Sequence, residues 1–304
     1  MEYVLTAQGL CKHYGPCKAL DGLDLHVPKG SIYGLVGRNG AGKTTLIRLI
    51  CGLQLPTAGS FTLYGETGTG RGLTRTRRRM GAVVETPSIY LDMTAADNLR
   101  TQYRVLGLPS DESIPELLAL VGLADMGKKR ARHFSLGMKQ RLGIAVALAG
   151  NPDFLVLDEP VNGLDPQGIV EIRELILRLN RERQITVLIS SHILDELGRL
   201  ATHYGFIDAG RMVKELSAAD LEDACRKRVR LEVTSTGVLA RVLDKMGVSY
   251  QIWSDTLADV FSKVRLTELT LMLAEEGCDL LSAREQDESL ESFFLSLIGG
   301  GRNA

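Results

Sequence analysis

A glycine-rich segment near the start of the chain has the residue pattern of a phosphate cradle. Its pattern is G-x-x-x-x-G-K-[ST]. The residues are Gly37, Arg38, Asn39, Gly40, Ala41, Gly42, Lys43 and Thr44, followed by Thr45. Glycines let the backbone amides wrap around phosphate oxygens at a helix start, which is electropositive. Lys43 adds a positive charge for the outer phosphates, and the hydroxyl of Thr44 suits magnesium. The segment therefore predicts binding of ATP or GTP with Mg²⁺.

Two adjacent carboxylates form a second candidate group. Asp158 and Glu159 follow directly after the apolar run at residues 154–157. A parallel sheet presents its active-site residues at such strand ends. Asp158 suits a magnesium ligand, direct or through water, and Glu159 suits orientation or deprotonation of a water that attacks phosphorus. Two carboxylates in a strand-end turn are common without function, but the phosphate cradle favours the functional interpretation.

The elements around these groups predict an α/β fold with a mostly parallel sheet. Apolar strands at 32–36, 153–157 and 185–190 are separated by helical segments, which is typical of a sheet covered on both faces. Alternating residues at 3–7 and 23–27 predict an antiparallel β region ahead of the cradle. Residues 94–150 are predicted to be mostly helical. Capping patterns at Thr94 and Ser113 mark two helix starts there.

A change in composition near Leu216 predicts a second, smaller unit. The first domain is accordingly expected at residues 1–215, with its helical subdomain at about 94–150, and a small α+β domain at 216–304. The order of candidate elements in the second domain is β-α-β-β-α-β, which is typical of a ferredoxin-like arrangement.

Composition narrows the class of protein and its partners. The 304-residue chain has a formal net charge of -1, which provides no basic field for nucleic acid. Its five cysteines include no C-x-x-C pair, which indicates free thiols in a reducing compartment. No apolar run reaches the ~20 residues of a membrane span. We therefore expect a cytoplasmic protein that does not bind nucleic acid and that needs another polypeptide for any task in a membrane.

The order of the motifs resembles the nucleotide-binding subunits of the ATP-binding cassette (ABC) family, over roughly residues 1 to 215. Six elements occur in the family's order at suitable spacings. They are Tyr14, the phosphate cradle, Glu85, the signature segment at 134–141 with Ser135 and Gly137, the Asp158–Glu159 pair with Asp165 close behind, and His192.

The resemblance implies a role for each element. Tyr14 would stack on adenine, and His192 would sense the γ-phosphate. Ser135 and Gly137 would bind the γ-phosphate held by a second subunit, and Asp165 would communicate across that dimer. Ser135 can also cap its helix, which makes that helix start a second anion-binding candidate. Hydrolysis is therefore expected to need a dimer, with a homodimer favoured.

Glu85 departs from the family, which usually places glutamine at this position. A glutamine amide both donates and accepts hydrogen bonds, whereas a carboxylate accepts only and adds a negative charge. The exchange is expected to alter magnesium affinity and the response to the membrane subunit. Glu85, together with the Ser135–Met138 form of the signature, is similar to the exporter ATPases of bacitracin resistance and lantibiotic immunity.

The resemblance implies an ATPase that drives export of a peptide antibiotic, a drug or a similar substrate through a separate membrane permease. The protein would then lie on the inner face of the cell membrane through that permease. An alternative is an ABC ATPase that acts on ribosomes or DNA. Ribosome-acting relatives carry two cassettes and DNA-repair relatives insert heptad arms; neither feature occurs here. A phosphate-loop kinase would leave the signature segment unexplained.

Overall fold

A computed structural model describes residues 2–67, 71–225, 228–261, 264–286 and 290–299. Contacts between Cα atoms divide the chain into two compact units, Met1–Ala218 and Ala219–Ala304. The strands of the first unit are β1 (Tyr3–Tyr14), β2 (Cys17–Pro28), β3 (Ile32–Val36), β4 (Ala58–Leu63), β5 (Glu66–Thr67), β6 (Met80–Val83), β7 (Phe154–Asp158), β8 (Thr186–Ser191), β9 (His203–Asp208) and β10 (Arg211–Ser217). Its helices are α1 (Lys43–Ile50), α2 (Arg71–Arg77), α3 (Ala95–Leu106), α4 (Ile114–Leu120), α5 (Leu136–Leu148), α6 (Pro166–Arg183) and α7 (Leu194–Gly198). The helix α8 (Ala218–Ala224) spans the division.

The main sheet of the first unit has the strand order β10-β9-β3-β8-β7-β6. All neighbouring pairs are parallel except β10 with β9. Every residue of β3, β7 and β8 is buried, as expected for strands covered on both faces. The predicted, mostly parallel α/β core is confirmed. Parallel strands end at one edge, so the segments after β3, β6, β7 and β8 lie together there.

A second sheet of the first unit is antiparallel, with the order β2-β1-β4-β5. β1 and β2 are each twelve residues long and form a hairpin, so they extend well beyond the predicted segments at 3–7 and 23–27. The predicted antiparallel β region is confirmed, but the alternation marked only part of each strand because register shifts interrupt the pairing between Ala7 and His13. Such irregularities break the two-residue period along the strand.

The helical subdomain contains α3, α4 and α5. Thr94 caps α3 by accepting a hydrogen bond from the backbone N–H of Asp97, as predicted. The predicted helix start at Ser113 is confirmed, because Ser113 is the N-cap of α4, but the predicted side-chain cap is not formed. The hydroxyl of Ser113 makes no cap bond to α4 and lies instead 2.8 Å from the hydroxyl of Tyr103 on α3.

The second unit contains the strands β11 (Arg228–Val233), β12 (Tyr250–Ile252), β13 (Leu257–Val260) and β14 (Leu280–Gln286) and the helices α9 (Thr236–Lys245), α10 (Leu266–Glu275) and α11 (Leu290–Gly299). The sheet is antiparallel with the order β12-β13-β11-β14. Together with α9 and α10 this is the β-α-β-β-α-β connectivity of a ferredoxin-like unit. Its apolar core includes Leu231, Val233, Leu239 and Leu273.

Among the residues that the structure describes, none of the helices combines the length and apolar character required to span a bilayer.

Candidate active site

A cleft of about 340 Å³ lies at the carboxyl edge of the main sheet, where β3 turns into α1. It brings together residues from four separate parts of the chain. They are Ala19, Arg38, Asn39, Gly40, Gly42, Lys43, Thr44, Thr45, Glu159, Asn162 and His192. The predicted cradle, one of the two predicted carboxylates and the predicted histidine therefore meet in one cavity.

The cradle requires glycine at Gly42. Its φ of +111° is unfavourable for other residues, and a Cβ there would lie 2.6 Å from the carbonyl oxygen of Ala19. Gly42 is also the N-cap of α1, and no side chain caps this helix. The first amides of α1 are thus left for an anion, in agreement with the predicted phosphate cradle.

Lys43 is held deep in the cleft, with 5% of its surface exposed. Its Nζ donates a hydrogen bond to the carbonyl oxygen of Gly37 at 2.7 Å and lies 3.2 Å from Oε1 of Glu159. The other carboxylate oxygen of Glu159, Oε2, lies 2.7 Å from Nδ1 of His192. The carboxylate of Glu159 is therefore within hydrogen-bond reach of both a cation and a histidine.

Asp158 is almost completely buried, with 1% of its surface exposed. Its Oδ1 accepts a hydrogen bond from Oγ of Ser190 at 2.6 Å, whereas its Oδ2 is buried and has no hydrogen-bond partner among the described residues. A buried carboxylate oxygen without a donor is costly unless a cation or water satisfies it. Together with the hydroxyl of Thr44 in the cleft, this oxygen fits the hard oxygen ligands that magnesium prefers.

Glu85 does not line the cleft. It follows β6 with a φ of +59°, and its Oε1 lies 2.5 Å from a terminal guanidinium nitrogen of Arg48 in the last turn of α1. Both side chains are partly exposed, so the ion pair is solvated. The structure thus places the predicted magnesium ligand Glu85 against a cation rather than among the cleft residues.

Four further predicted residues lie outside the cleft. Tyr14 ends β1 with 44% of its surface exposed, and its hydroxyl bonds to Gln54. Ser135 caps α5 by accepting from the N–H of Met138, and Gly137 lies in the first turn of that helix. Asp165 caps α6 by accepting from the N–H of Gly168. The structure gives Ser135 and Asp165 local helix-capping roles and brings neither to the cradle.

Cys51 lies at the end of α1 but is not a nucleophile candidate. Burial, assisted by the negative charge of Asp158, raises the pKa of its thiol to about 12. The thiol is therefore protonated near neutral pH and unreactive.

A larger cavity, of about 400 Å³, lies elsewhere in the first unit and holds none of the predicted motif residues. It is lined by Tyr103, Glu116 and Arg183 among others, and the last two form an ion pair at 2.8 Å. Its lining residues include neither a glycine-rich loop nor a cluster of cations that could bind phosphates. We therefore assign the nucleotide to the smaller cleft.

Sequence reasoning missed three residues of this region. Asn162 lines the cleft, Arg48 pairs with Glu85, and Ser190 binds Asp158. Asn162 follows Glu159 closely in the sequence, and this proximity is a signal that could have identified it as a site residue. The other two contacts join residues 32 or more positions apart and become visible only through strand and helix packing.

Comparisons with known proteins agree with this geometry. The family model described as "ABC transporter" matches residues 20–162. The bacitracin transport ATP-binding protein BcrA of Bacillus licheniformis is 40% identical over 99% of each chain, and the lantibiotic transport ATP-binding protein SrtF of Streptococcus pyogenes is 43% identical over 70% of this chain and 90% of its own. A solved ATP-binding subunit of an ABC transporter is 27% identical with a TM-score of 0.63, over 89% of this chain and 99% of its own.

Proposed function

The chain belongs to the ABC transporter family, and on this basis we propose that it is the ATP-hydrolysing subunit of an exporter for a peptide antibiotic. The observation that carries the proposal is the match to the bacitracin transport protein over 99% of both chains. That match includes the second unit, which the family model does not reach. The alternative, an ATPase acting on ribosomes or DNA, is not favoured, because these relatives are named as transport proteins.

In the proposed reaction the glycine-rich loop binds the phosphates of ATP. The free amides at the start of α1 and the ammonium of Lys43 supply complementary positive charge. A bound phosphate would share Lys43 with Glu159, which now lies 3.2 Å from its Nζ. Tyr14 is exposed at the end of β1 with the ammonium of Lys12 lying 5.2 Å from the centre of its ring, and this ring would stack on the base.

Glu159 is the proposed base that accepts a proton from the attacking water. His192 lies 2.7 Å from Oε2 of Glu159, which supports a role in orienting that carboxylate. Bound magnesium would neutralise charge that develops on the phosphates, and Thr44, Asp158 and Glu85 are the residues that would hold it. Glu85 would have to leave Arg48 to do so.

We further propose that a second copy of the chain completes the site. The cleft that holds Lys43 is formed within one chain without Ser135, Gly137 or Asp165 among its lining residues. Ser135 and its neighbour Leu136 are exposed at the start of α5, which leaves that surface accessible to a nucleotide held by another copy. A symmetric pair of chains would contain two such composite sites.

A membrane permease is the second proposed partner, and it would hold the protein at the inner face of the membrane. Exposed apolar side chains follow Glu85 and continue to the end of α3. They are Tyr90, Leu91, Val105 and Leu106. Exposed apolar side chains of this kind support contact with another protein, and the closeness in sequence of Tyr90 and Leu91 to Glu85 would let such a contact influence the site.

Growth of a bacitracin-sensitive bacterium tests the function. The chain is produced together with a membrane protein that co-purifies with it, and the antibiotic concentration that stops growth is measured. We expect the pair to raise that concentration, while the chain alone or the pair with Glu159→Gln leaves it unchanged. Full protection by the Glu159→Gln pair would contradict the role of ATP hydrolysis, and no protection by the unaltered pair would contradict the substrate class.

A further inference from the structure

We propose that Ser190 is a positioning residue whose one hydroxyl group holds two neighbouring acidic residues of the site, Asp158 by its carboxylate and Glu159 by its backbone amide. The inference deepens the proposed ATPase function and rests on it. Ser190 lies on β8 directly opposite Asp158 in the parallel register, and none of its surface is exposed. Water therefore does not compete for its hydroxyl.

Two hydrogen bonds define the arrangement. Oγ of Ser190 donates to Oδ1 of Asp158 at 2.6 Å and accepts from the backbone N–H of Glu159 at 2.9 Å. A hydroxyl has a single hydrogen, and a backbone amide can only donate. The direction is thus fixed from the amide of Glu159, through the hydroxyl of Ser190, to the carboxylate of Asp158.

The bond to Oδ1 determines which oxygen of Asp158 is available. Since Ser190 holds Oδ1, the partnerless Oδ2 is left as the oxygen for a cation or its water. Partners of this kind orient metal ligands and tune metal affinity. Without the hydroxyl, Asp158 could rotate, and both of its oxygens would lack a donor.

The bond to the amide restrains Glu159. This residue has a φ of +49°, a region that is unfavourable for residues other than glycine and persists only when the surroundings enforce it. The backbone oxygen of Ser190 also accepts from the same amide at 3.2 Å. Ser190 therefore holds the backbone from which the Glu159 carboxylate reaches Lys43 and His192.

The next residue, Ser191, provides a matched control. It is equally buried, but its Oγ accepts from the N–H of Ile193 at 2.9 Å and bonds to neither carboxylate. Replacing either serine by alanine removes one buried hydroxyl from β8, so an effect specific to Ser190 comes from its partners.

The experiment measures Mn²⁺ binding by electron paramagnetic resonance, using the full chain saturated with a non-hydrolysable ATP analogue. We expect Ser190→Ala to weaken Mn²⁺ binding by roughly tenfold to a hundredfold. Binding of the analogue in EDTA should stay the same. Ser190→Thr, which keeps the hydroxyl, and Ser191→Ala should both bind Mn²⁺ like the unaltered chain. In hydrolysis assays Ser190→Ala should lower kcat more than it changes KM for ATP.

Unchanged Mn²⁺ affinity in Ser190→Ala, or an equal loss in Ser191→Ala, would overturn the positioning role. Circular dichroism checks that each variant is folded. Should Ser190→Ala fail to fold, a folded Ser190→Thr that loses Mn²⁺ binding would also overturn it. A chain that binds Mn²⁺ in a Ser190-dependent way but never hydrolyses ATP would contradict the proposed function and leave the positioning role supported.

Discussion

The starts of α1 and α5 are two helix N-termini with opposite designs. At α1 the N-cap is Gly42, no side chain caps the helix, and Lys43 is enclosed beside Glu159. At α5 the N-cap Ser135 bonds to the helix itself, and the adjacent Leu136 is 49% exposed. The first is a pocket built by one chain, and the second is a surface. The difference teaches how one chain could meet both needs of the proposed composite site, with an enclosed half at α1 that would hold nucleotide and an exposed half at α5 that would cover the nucleotide of another copy.

The largest expected effect concerns the enclosed half. We expect Glu159→Gln to bind ATP normally but to lower kcat by roughly a hundredfold to ten-thousandfold, because an amide cannot accept the proton of the attacking water. Phosphate release and nucleotide binding are measured on the same samples. Glu116→Gln, which alters an exposed carboxylate, serves as the control and should keep normal turnover. Hydrolysis by Glu159→Gln at the unaltered rate would remove Glu159 from its role.

Lys43→Ala, in the same enclosed half, should weaken the binding of ATP. The change removes the buried ammonium and leaves Glu159 without its cation, so ATP affinity should fall by about tenfold or more. Isothermal titration measures the affinity, and Lys29→Ala is the control because Lys29 is an exposed lysine paired with Glu2. Equal affinities in the two variants would mean that the α1 start does not bind phosphate.

Ser135→Asn tests the covering half. Asparagine caps helices as well as serine does, so the folded chain should be about as stable, but the larger side chain obstructs close approach. ATP binding should be unchanged, whereas hydrolysis should fall by roughly tenfold, about the contribution of one hydrogen bond to a charged group. In a Glu159→Gln background, size-exclusion chromatography should show an ATP-dependent dimer that Ser135→Asn abolishes. A Ser135→Asn chain with full turnover would contradict the composite site.

The smallest effect is expected at Glu85, which pairs with Arg48 and does not line the cleft until it leaves that pair. Its exposed ion pair with Arg48 is worth about 1 kcal/mol or less, so Glu85→Gln should barely change the free energy of unfolding. With the permease present, however, the ATPase response to transported substrate should change more than ATP affinity does. Arg48→Gln is the matched variant, because it breaks the same pair from the other side. Identical responses in all three proteins would make Glu85 a bystander.

The parts of the site that are local in sequence could be predicted. The cradle from Gly37 to Thr44 is a single loop, and the pair Asp158–Glu159 ends a strand recognisable by its apolar run. The parallel core followed from the same apolar runs. These signals depend only on residues that are neighbours in the sequence, so they can be recognised without a structure.

What depends on pairing across the fold could not be predicted. The contact of Ser190 with Asp158 requires the register of β8 against β7, and that of Arg48 with Glu85 requires α1 to lie near the end of β6. The position of the α4 start at Ser113 was predicted, but the partner of the Ser113 hydroxyl was not, since Tyr103 from another helix lies within hydrogen-bond distance of it. Short strands such as β6, four residues long, carry too little pattern to be recognised.

The close approach of Gly42 to Ala19 also links the two ends of the nucleotide site. Ala19 belongs to β2, and its hairpin partner β1 ends at Tyr14. The phosphate loop and the tyrosine proposed to stack on the base therefore both rest on one paired hairpin, β1–β2. Binding then requires little ordering of the hairpin, which reduces the entropy lost on association.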